Sequence, residues 1–502
     1  MKRKIPATMA TQHPDHSMTP YWHSEEFIST QYETQELFLD FSELGISEYK
    51  WDWEGKLVDE AVIERLYSEY YSYFKNNPLG KEKFLTFRLP NPNIENDFRL
   101  PRAFFTIWGA AALVKQVGIK DIPIFEAILP MTESAEDMVS VQEAYCEISS
   151  LKHKYFNPTM GSLDHIELIP LFEEAHTIMD SVNIIDRYLN LHKKKFGFTP
   201  DYMRPYIARS DPALNAGIVP TVLAIKVALS RYKKYSETHD IELFPMIGAA
   251  ALPFRGGISP ETVESFVNEY SGIKTTTIQS AFRYDYPKEK VIEAIKYLEE
   301  NLQNSVAREV SEEDQKIIPE IMEIFSKFYK STIENIADQI NQVATFIPKR
   351  RERVQHIGLF GYSRGVGKVR LPRAITFTAA LYSLGVPPEL IGTGRGLGKI
   401  KGTEMQEVVE RHFINLKFDL IRAGRFLNKE NLKRLAKHNK AWEEVLEDIY
   451  QIEKYIGEEL TPLESDEEEH YELSEFISKR IIAHDDPSDL IRRAARLRKS
   501  IG

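Results

Sequence analysis

A glycine-rich loop carrying four cations is the first part of this sequence that could perform chemistry. It follows the apolar run 355–363, and its cations are Arg364, Lys368, Arg370 and Arg373, with Gly365 and Gly367 between them. Glycines let backbone N–H groups approach an anion, and arginine binds phosphate or carboxylate through paired hydrogen bonds. We therefore expect an anion site at the carboxyl end of a strand. A solvated basic loop would also account for Lys368 and Arg370.

Two carboxylates follow apolar runs and could hold a metal ion. Glu173 follows Pro170-Leu171-Phe172, and Asp211 follows Ala208-Arg209-Ser210. Hard oxygen ligands suit Mg²⁺ or Mn²⁺, which keep water and accept substrate oxygens as further ligands. The structural alternatives are a helix N-cap for Asp211, with Pro212 after it, and a helix-dipole role for Glu173.

Three further arginines lie at or just after the ends of apolar runs. Arg255 precedes two glycines in LPFRGG, Arg88 lies in FRLPNP and Arg283 lies in SAFRYDYP. Each is a candidate ligand for a substrate anion. Pairing with nearby acids, or exposure in a loop, is the competing interpretation.

His13, in ATQHPD, is the candidate for proton transfer. Its imidazole titrates near neutral pH, as general acid–base chemistry requires. The competing interpretation is a disordered N-terminal tail, because the surrounding sequence is polar and rich in proline.

Alternating strand-like and helix-like segments must position these residues. The strand-like runs are Phe84–Leu89, Ile122–Pro130, His165–Phe172, Arg204–Ser210, Glu242–Ala250, Thr275–Phe282, Gln355–Ser363 and Glu389–Thr393. Eight runs with helical patterns between them predict an α/β fold, a (β/α)8 barrel-like core with many additional helices. Strand ends then surround one site. A doubly wound open sheet is the competing architecture.

The domain organisation follows from this alternation. We expect a single large domain over residues 1–502, with the barrel core at about 80–400 and a helical insertion at about 287–346. The C-terminal region, from about 403 to 502, has a helical pattern throughout. Residues 1–25 read as irregular, and residues 26–57 mix acidic and aromatic side chains.

Composition limits the class of partner. The net charge of −11 argues against nucleic acid, which requires a basic surface. The single cysteine, Cys146, excludes an internal disulfide and fits a reducing cytoplasm. No run approaches 18 apolar residues and the start lacks the apolar core of a signal peptide, so we expect no membrane partner.

Taken in order, several motifs resemble one family. They are TQHPD near residue 13, PLFE at 170–173, ARSDPALNAG at 208–217, LPFRGG at 252–257, GYSRGVGKVRLPRAI at 361–375 and the terminal RKSIG. Together they resemble phosphoenolpyruvate carboxylase, specifically its short archaeal-type branch, over nearly the whole chain.

The resemblance implies a homotetramer that uses Mg²⁺ or Mn²⁺ to convert phosphoenolpyruvate and bicarbonate to oxaloacetate and phosphate. It implies that Glu173 and Asp211 are metal ligands and that His13 is catalytic. It further implies that Arg255, Arg364 and Arg373 hold phosphate or carboxylate, and that Arg88 is another active-site arginine. Arg283 remains a candidate from its position at a run end alone.

Some residues depart from the long branch of the family. Leu214 stands where the long enzymes have a lysine, and MIGAAALPF replaces their FHGRGG element. These differences suit the short branch. The alternatives are another metal-dependent barrel lyase that acts on an oxo-acid enolate and, outside enzymes, a helical regulatory or scaffold protein that binds acidic metabolites.

Overall fold

A computed structural model describes residues 4–56, 58–95, 98–151, 164–352, 364–366 and 369–502, the segment 364–366 by its backbone only. The described residues contain twelve strands. In chain order they are β1 Thr8–Thr11, β2 Glu48–Asp52, β3 Phe84–Arg88, β4 Glu126–Leu129, β5 Glu167–Phe172, β6 Tyr202–Met203, β7 Tyr206–Ala208, β8 Glu242–Leu243, β9 Met246–Gly248, β10 Thr275–Ile278, β11 Arg364–Val366 and β12 Val369–Leu371.

Eight of these strands close into a parallel barrel, which confirms the predicted fold class. Its order is β1-β10-β9-β7-β5-β4-β3-β2, and β2 pairs with β1 to complete the ring. Helices follow most strands and cover the outside, as parallel pairing requires. The remaining strands form two small pairs, β6 with β8 and β11 with β12.

The strand assignment needs two corrections. The barrel includes β1 and β2, which lie in segments that the sequence interpretation treated as irregular or mixed, before the predicted core range. Glu389–Thr393 is not a strand: it forms turns that lead into a helix beginning at Thr393. Its apolar residues Leu390 and Ile391 are buried among helices instead. The predicted strand Gln355–Ser363 lies outside the described residues.

Twenty α-helices surround the barrel within the described ranges. They are α1 Glu33–Ser42, α2 Val62–Glu69, α3 Tyr71–Asn76, α4 Arg99–Gln116, α5 Ala135–Ser149, α6 Ala175–Phe196, α7 Ser210–Ala216, α8 Ile218–Thr238, α9 Val263–Glu269, α10 Ser280–Tyr284, α11 Lys288–Asn301, α12 Glu312–Ala344, α13 Ala374–Ser383, α14 Thr393–Ile400, α15 Glu404–His412, α16 Leu416–Gly424, α17 Lys429–His438, α18 Ala441–Ile456, α19 Ser465–Ile482 and α20 Ser488–Leu497. None of those described is long and apolar enough to cross a lipid bilayer.

Strand β2 shows how the sequence builds the barrel interior. Tyr49 and Trp51 point outward and join the main hydrophobic core. The alternate residues, Glu48, Lys50 and Asp52, point into the barrel, because successive side chains of a strand face opposite sides. All three are at most 1% exposed. The barrel therefore carries a column of charged residues that rises toward the carboxyl ends of its strands.

Candidate active site

A cavity of about 110 Å³ opens at the carboxyl ends of the barrel strands. Its wall contains strand-end residues such as Ala208 and Gly248, together with Gln279, which follows β10. Six of the eight predicted site residues line it, namely His13, Arg88, Glu173, Asp211, Arg255 and Arg373. These six side chains therefore share one cavity, and four of them, Arg88, Glu173, Asp211 and Arg255, are expected from the ends of strand-like runs.

Glu173 and Asp211 face this cavity from neighbouring strands. Glu173 directly follows β5, is 6% exposed and accepts a hydrogen bond from Met131 N at 2.9 Å through Oε2. Asp211 is the second residue of α7, whose N-cap is Arg209, so Asp211 is not itself the N-cap. No cluster of three or more His, Cys, Asp or Glu side chains forms a metal centre in the described ranges. A cation here would depend on two carboxylates, water and substrate oxygens.

His13 is held in the cavity by an ordered amino-terminal segment, residues 12–18. Thr11 Oγ1 lies 3.0 Å from His13 Nδ1, and Ser280 Oγ donates to the His13 carbonyl at 2.7 Å. Farther along, Asp285 accepts hydrogen bonds from Ser17 N and Met18 N. The polar residues after β1 therefore form a folded segment over the barrel, and the alternative of a disordered tail is wrong.

Arg88 ends β3 and is clamped between two acids. Its Nε and Nη2 donate to Asp52 at 2.7 and 2.6 Å, and Nη1 lies 2.6 Å from Glu54 Oε2. Arg88 is 8% exposed, so these are buried ion pairs. The clamp fixes the guanidinium in the cavity wall, with two carboxylates opposing one positive charge.

Arg255 is 2% exposed and most of its donors are engaged by the protein. Its Nε donates to Ser210 at 3.1 Å and Nη2 donates to Gln279 at 2.7 Å. Its Nη1 contacts both Asp15 and the Gly502 carbonyl. Arg255 thus joins the amino-terminal segment to the C-terminus at the edge of the cavity.

Arg373 reaches the cavity from the N-cap of α13. Its guanidinium lies against Gly55: a Cβ at position 55 would be 2.7 Å from Arg373 Nη2. Gly55 also has φ +58°, a conformation that side chains other than glycine rarely adopt. A glycine at this position therefore makes room for the arginine.

The two remaining predicted residues are not brought to the cavity by the described coordinates. Arg283 is buried in α10, where it pairs with Asp40 and Glu36 of α1 and donates to the Thr11 carbonyl at 2.7 Å. These contacts give Arg283 a structural role, in which it joins α1 to the end of β1. Arg364 begins β11, and its side chain lies outside the described residues, as do Gly367 and Lys368. Arg370, in β12, is exposed.

Sequence reasoning missed the contribution of β2 to the site. Lys50 and Glu54 line the cavity, and Asp52 holds Arg88. The signal was the alternation in EYKWDWE, which places aromatic residues at every second position and charged residues between them. That pattern is typical of a strand, but here its polar face is turned inward rather than toward solvent.

Comparison of the sequence with known proteins places this chain in a family. The sequence profile described as phosphoenolpyruvate carboxylase matches residues 5–502. Proteins of that name from Leuconostoc mesenteroides and Metallosphaera sedula are 40% and 39% identical to the chain, each covering all of it and at least 99% of the relative. The protein of that name from Methanospirillum hungatei is 37% identical over 99% of the chain.

Proposed function

The chain belongs to the archaeal-type phosphoenolpyruvate carboxylase family, and from that premise we propose that it carboxylates phosphoenolpyruvate with bicarbonate to give oxaloacetate and phosphate. One observation carries the assignment of the site. His13, Glu173, Asp211 and Arg373 come from distant parts of the chain yet line one cavity at the carboxyl ends of the barrel strands. Active sites of this fold occupy that face.

Glu173 and Asp211 are the proposed ligands of Mg²⁺ or Mn²⁺. Among the described residues that line the cavity, the two carboxylates are accompanied by no cysteine and no second histidine, which matches the oxygen preference of these ions. Such an ion would supply positive charge to substrate oxygens as charge moves between them. Arg373 would bind a phosphate or carboxylate group of the substrate, and Arg88 and Arg255 would hold the wall around it.

We propose that the reaction proceeds in three steps. Bicarbonate oxygen attacks phosphorus while the bond from phosphorus to the enol oxygen breaks, which gives carboxyphosphate and the enolate of pyruvate. His13 takes the carboxyl proton of carboxyphosphate, which separates into CO₂ and phosphate. The enolate carbon then bonds to CO₂ to form oxaloacetate. Water must stay out of the cavity at this stage, because a proton delivered to the enolate would give pyruvate instead.

A coupled assay with malate dehydrogenase, with and without bicarbonate, tests the overall reaction. We expect NADH oxidation that requires bicarbonate, together with one phosphate released per oxaloacetate. A lyase that acts on an oxo-acid enolate would need no bicarbonate and would release no phosphate. A metabolite-binding scaffold would show no turnover.

His13→Asn tests the role of the imidazole. Because phosphoryl transfer precedes the proposed proton transfer, we expect carboxyphosphate still to form and to release phosphate by hydrolysis to bicarbonate, while oxaloacetate formation is abolished. Oxaloacetate formation at the parental rate would exclude this role. His23→Asn, which changes a half-buried histidine that does not line the described cavity wall, is the matched control.

The assembly is also part of the proposal. We propose the homotetramer that the family resemblance implies, with phosphoenolpyruvate and bicarbonate as the small-molecule partners of the site. Sedimentation equilibrium of the full chain measures this: we expect four times the 58.0 kDa subunit mass. A monomeric mass under assay conditions would refute it.

A further inference from the structure

Lys50 is a charged cavity residue to which neither the sequence motifs nor the proposed mechanism assigns a task. It lies on β2, in register with Thr11 of β1 and Thr86 of β3, and is 1% exposed. Its side chain lines the same cavity as His13, Glu173 and Arg373. Lysine is almost never this deeply buried unless its ammonium group has a partner.

The Lys50 ammonium group has no such partner in the described part of the chain. It makes no hydrogen bond, ion pair or cation–π contact there, although carboxylates lie nearby at Asp52, Glu54 and Glu173. Asp52 and Glu54 are both directed at Arg88 instead. Burial, followed by the charge of Arg88, lowers the pKa of Lys50 to about 7. The described part of the protein therefore buries this amine without contacts that offset the cost of its charged form.

Two of the other cavity cations, Arg88 and Arg255, use their hydrogen-bond donors differently from Lys50. Arg88 donates to or pairs with two acids, and Arg255 is bonded to Ser210, Asp15, Gln279 and the C-terminal carbonyl. An ammonium group has three donors and no acceptor, so it suits an oxyanion that approaches from the cavity. The substrates of the proposed reaction, on which this inference rests, are a phosphate-bearing carboxylate and bicarbonate.

We propose that Lys50 is a substrate ligand whose ammonium group binds an oxyanion of phosphoenolpyruvate or bicarbonate in the cavity. Bound anion would supply the missing partner and favour the charged amine. The position in β2 gives the group a rigid base, since the strand is paired on both sides. Lys50 would thus provide positive charge that the engaged arginines cannot fully supply.

Lys50→Met tests the inference, because methionine has a similar length and no charge. We expect kcat/KM to fall at least about tenfold for one of the two substrates, the usual effect of losing a charged hydrogen bond. A fall for phosphoenolpyruvate, with weaker competitive inhibition by inorganic phosphate, indicates contact with that substrate. A fall for bicarbonate alone indicates contact with bicarbonate. Lys50→Arg should restore part of the lost activity.

The melting temperature separates this role from a structural one. Removing an unpartnered buried cation should leave the melting temperature of Lys50→Met unchanged or higher, whereas loss of a structural ion pair would lower it. The control is Lys83→Met, because Lys83 is a partly buried lysine, and burial lowers its pKa to about 8. Lys83 precedes β3 at the opposite end of the barrel, and its ammonium group donates to the Ile46 carbonyl at 2.6 Å. It should keep kcat/KM within about twofold of the parent.

Two results would overturn the inference: parental kcat/KM for both substrates in Lys50→Met, or an activity loss accompanied by a lower melting temperature. If Lys50→Met does not fold, Lys50→Gln, which is neutral but polar, is measured by the same criteria. The parental enzyme is assayed in parallel. If it forms no oxaloacetate from bicarbonate, the proposed function fails; if it does and the Lys50 variants match it, only the inference fails.

Discussion

Ser280→Ala should release the segment that carries His13 while leaving the barrel intact. The Ser280 hydroxyl is fully buried and lies at the centre of that segment's contacts. It accepts from Asp15 N at 3.0 Å and His16 N at 3.1 Å, and it donates to the His13 carbonyl at 2.7 Å. The change removes one oxygen atom and adds nothing that could clash.

The expected change in the free energy of opening follows from the polar groups that would lose their hydrogen-bond partners. Two buried amides, those of Asp15 and His16, would lose their acceptor, and the His13 carbonyl would lose a donor. A buried donor without an acceptor costs about 1–3 kcal/mol, and taking about 1–2 kcal/mol for each of the two amides, we expect the free energy of opening this segment to fall by about 2–4 kcal/mol. That corresponds to a rise of about 30- to 800-fold in the open population.

Amide hydrogen exchange measures this opening directly. Amides of residues 12–18 should exchange about 30- to 800-fold faster in the variant, while those of β3 to β5 should be unchanged. We expect kcat to fall more than the KM for phosphoenolpyruvate rises, because His13 is displaced and the anion ligands are not. Ser383→Ala is the matched control, since this buried hydroxyl donates only to Ala379 O within its own helix.

Unchanged exchange at residues 12–18 in Ser280→Ala would refute the reasoning. It would mean that contacts elsewhere, such as those between Asp285 and Ser17, hold the segment without the serine. Faster exchange throughout the barrel would refute it in another way, by showing that Ser280 supports the whole fold.

Three further predictions concern the base of the barrel, acid stability and the metal site. Arg204→Met should lower the free energy of unfolding by about 3–5 kcal/mol in urea titration, because it leaves the buried carboxylates of Glu48 and Glu126 without their ion-pair partner. Replacing both glutamates with glutamine in the same variant should recover part of the loss. Burial lowers the pKa of His16 to about 3, below its unfolded value of 6.5. The unfolded chain therefore binds more protons as the pH falls below 6.5, and stability should drop by about 2 kcal/mol between pH 7 and pH 5, a slope that His16→Gln should flatten. Glu173→Gln should weaken Mn²⁺ binding at least about tenfold by calorimetry, whereas Glu174→Gln should not; equal effects of the two would contradict the assigned ligand.

The parts of the site that could be predicted from the sequence follow long apolar runs. HIELIPLF produces β5, and Glu173 comes directly after its last residue, so a prediction of the strand also locates the carboxylate. Asp211 follows β7 in the same way, after two intervening residues of the strand–helix turn. In both cases the local pattern and the tertiary position agree, because the carboxyl ends of barrel strands share one face.

The missed strands have local patterns that conflict with their tertiary surroundings. Strand β1 has only four residues, TMAT, all buried, so neither length nor alternation distinguishes it from a loop. Strand β2 alternates clearly, but its charged residues face the barrel interior, where Glu48 pairs with Arg204 from 156 residues later in the chain. Single-sequence reasoning expects charged residues to face solvent, and a partner so distant gives no local signal.

Arg283 illustrates the same limit for a residue that was predicted to be part of the site. A cation beside a strand end can serve either a substrate or a structural acid, and its own neighbourhood in the sequence is identical in the two cases. The deciding residue, Asp40, lies 243 residues earlier, on a helix whose acidic face is turned inward. Only the packing of α1 against α10 shows that the positive charge of Arg283 is already used.

The arrangement around Arg255 explains why this site depends on the whole chain. The Asp15 carboxylate accepts a hydrogen bond from Arg255, and the Asp15 backbone carbonyl accepts one from Ile501 N. The Gly502 carbonyl accepts a hydrogen bond from the same Arg255 guanidinium. A Cβ at position 502 would come within 2.1 Å of the Ile375 carbonyl at the start of α13, so the last residue is packed against the helix that Arg373 caps. The position of the C-terminus therefore constrains both the His13 segment and Arg373, the cation at the start of α13. Arg255 thus joins these parts through its hydrogen bonds, whereas the contacts with substrate oxyanions that we propose involve Arg373 and Lys50.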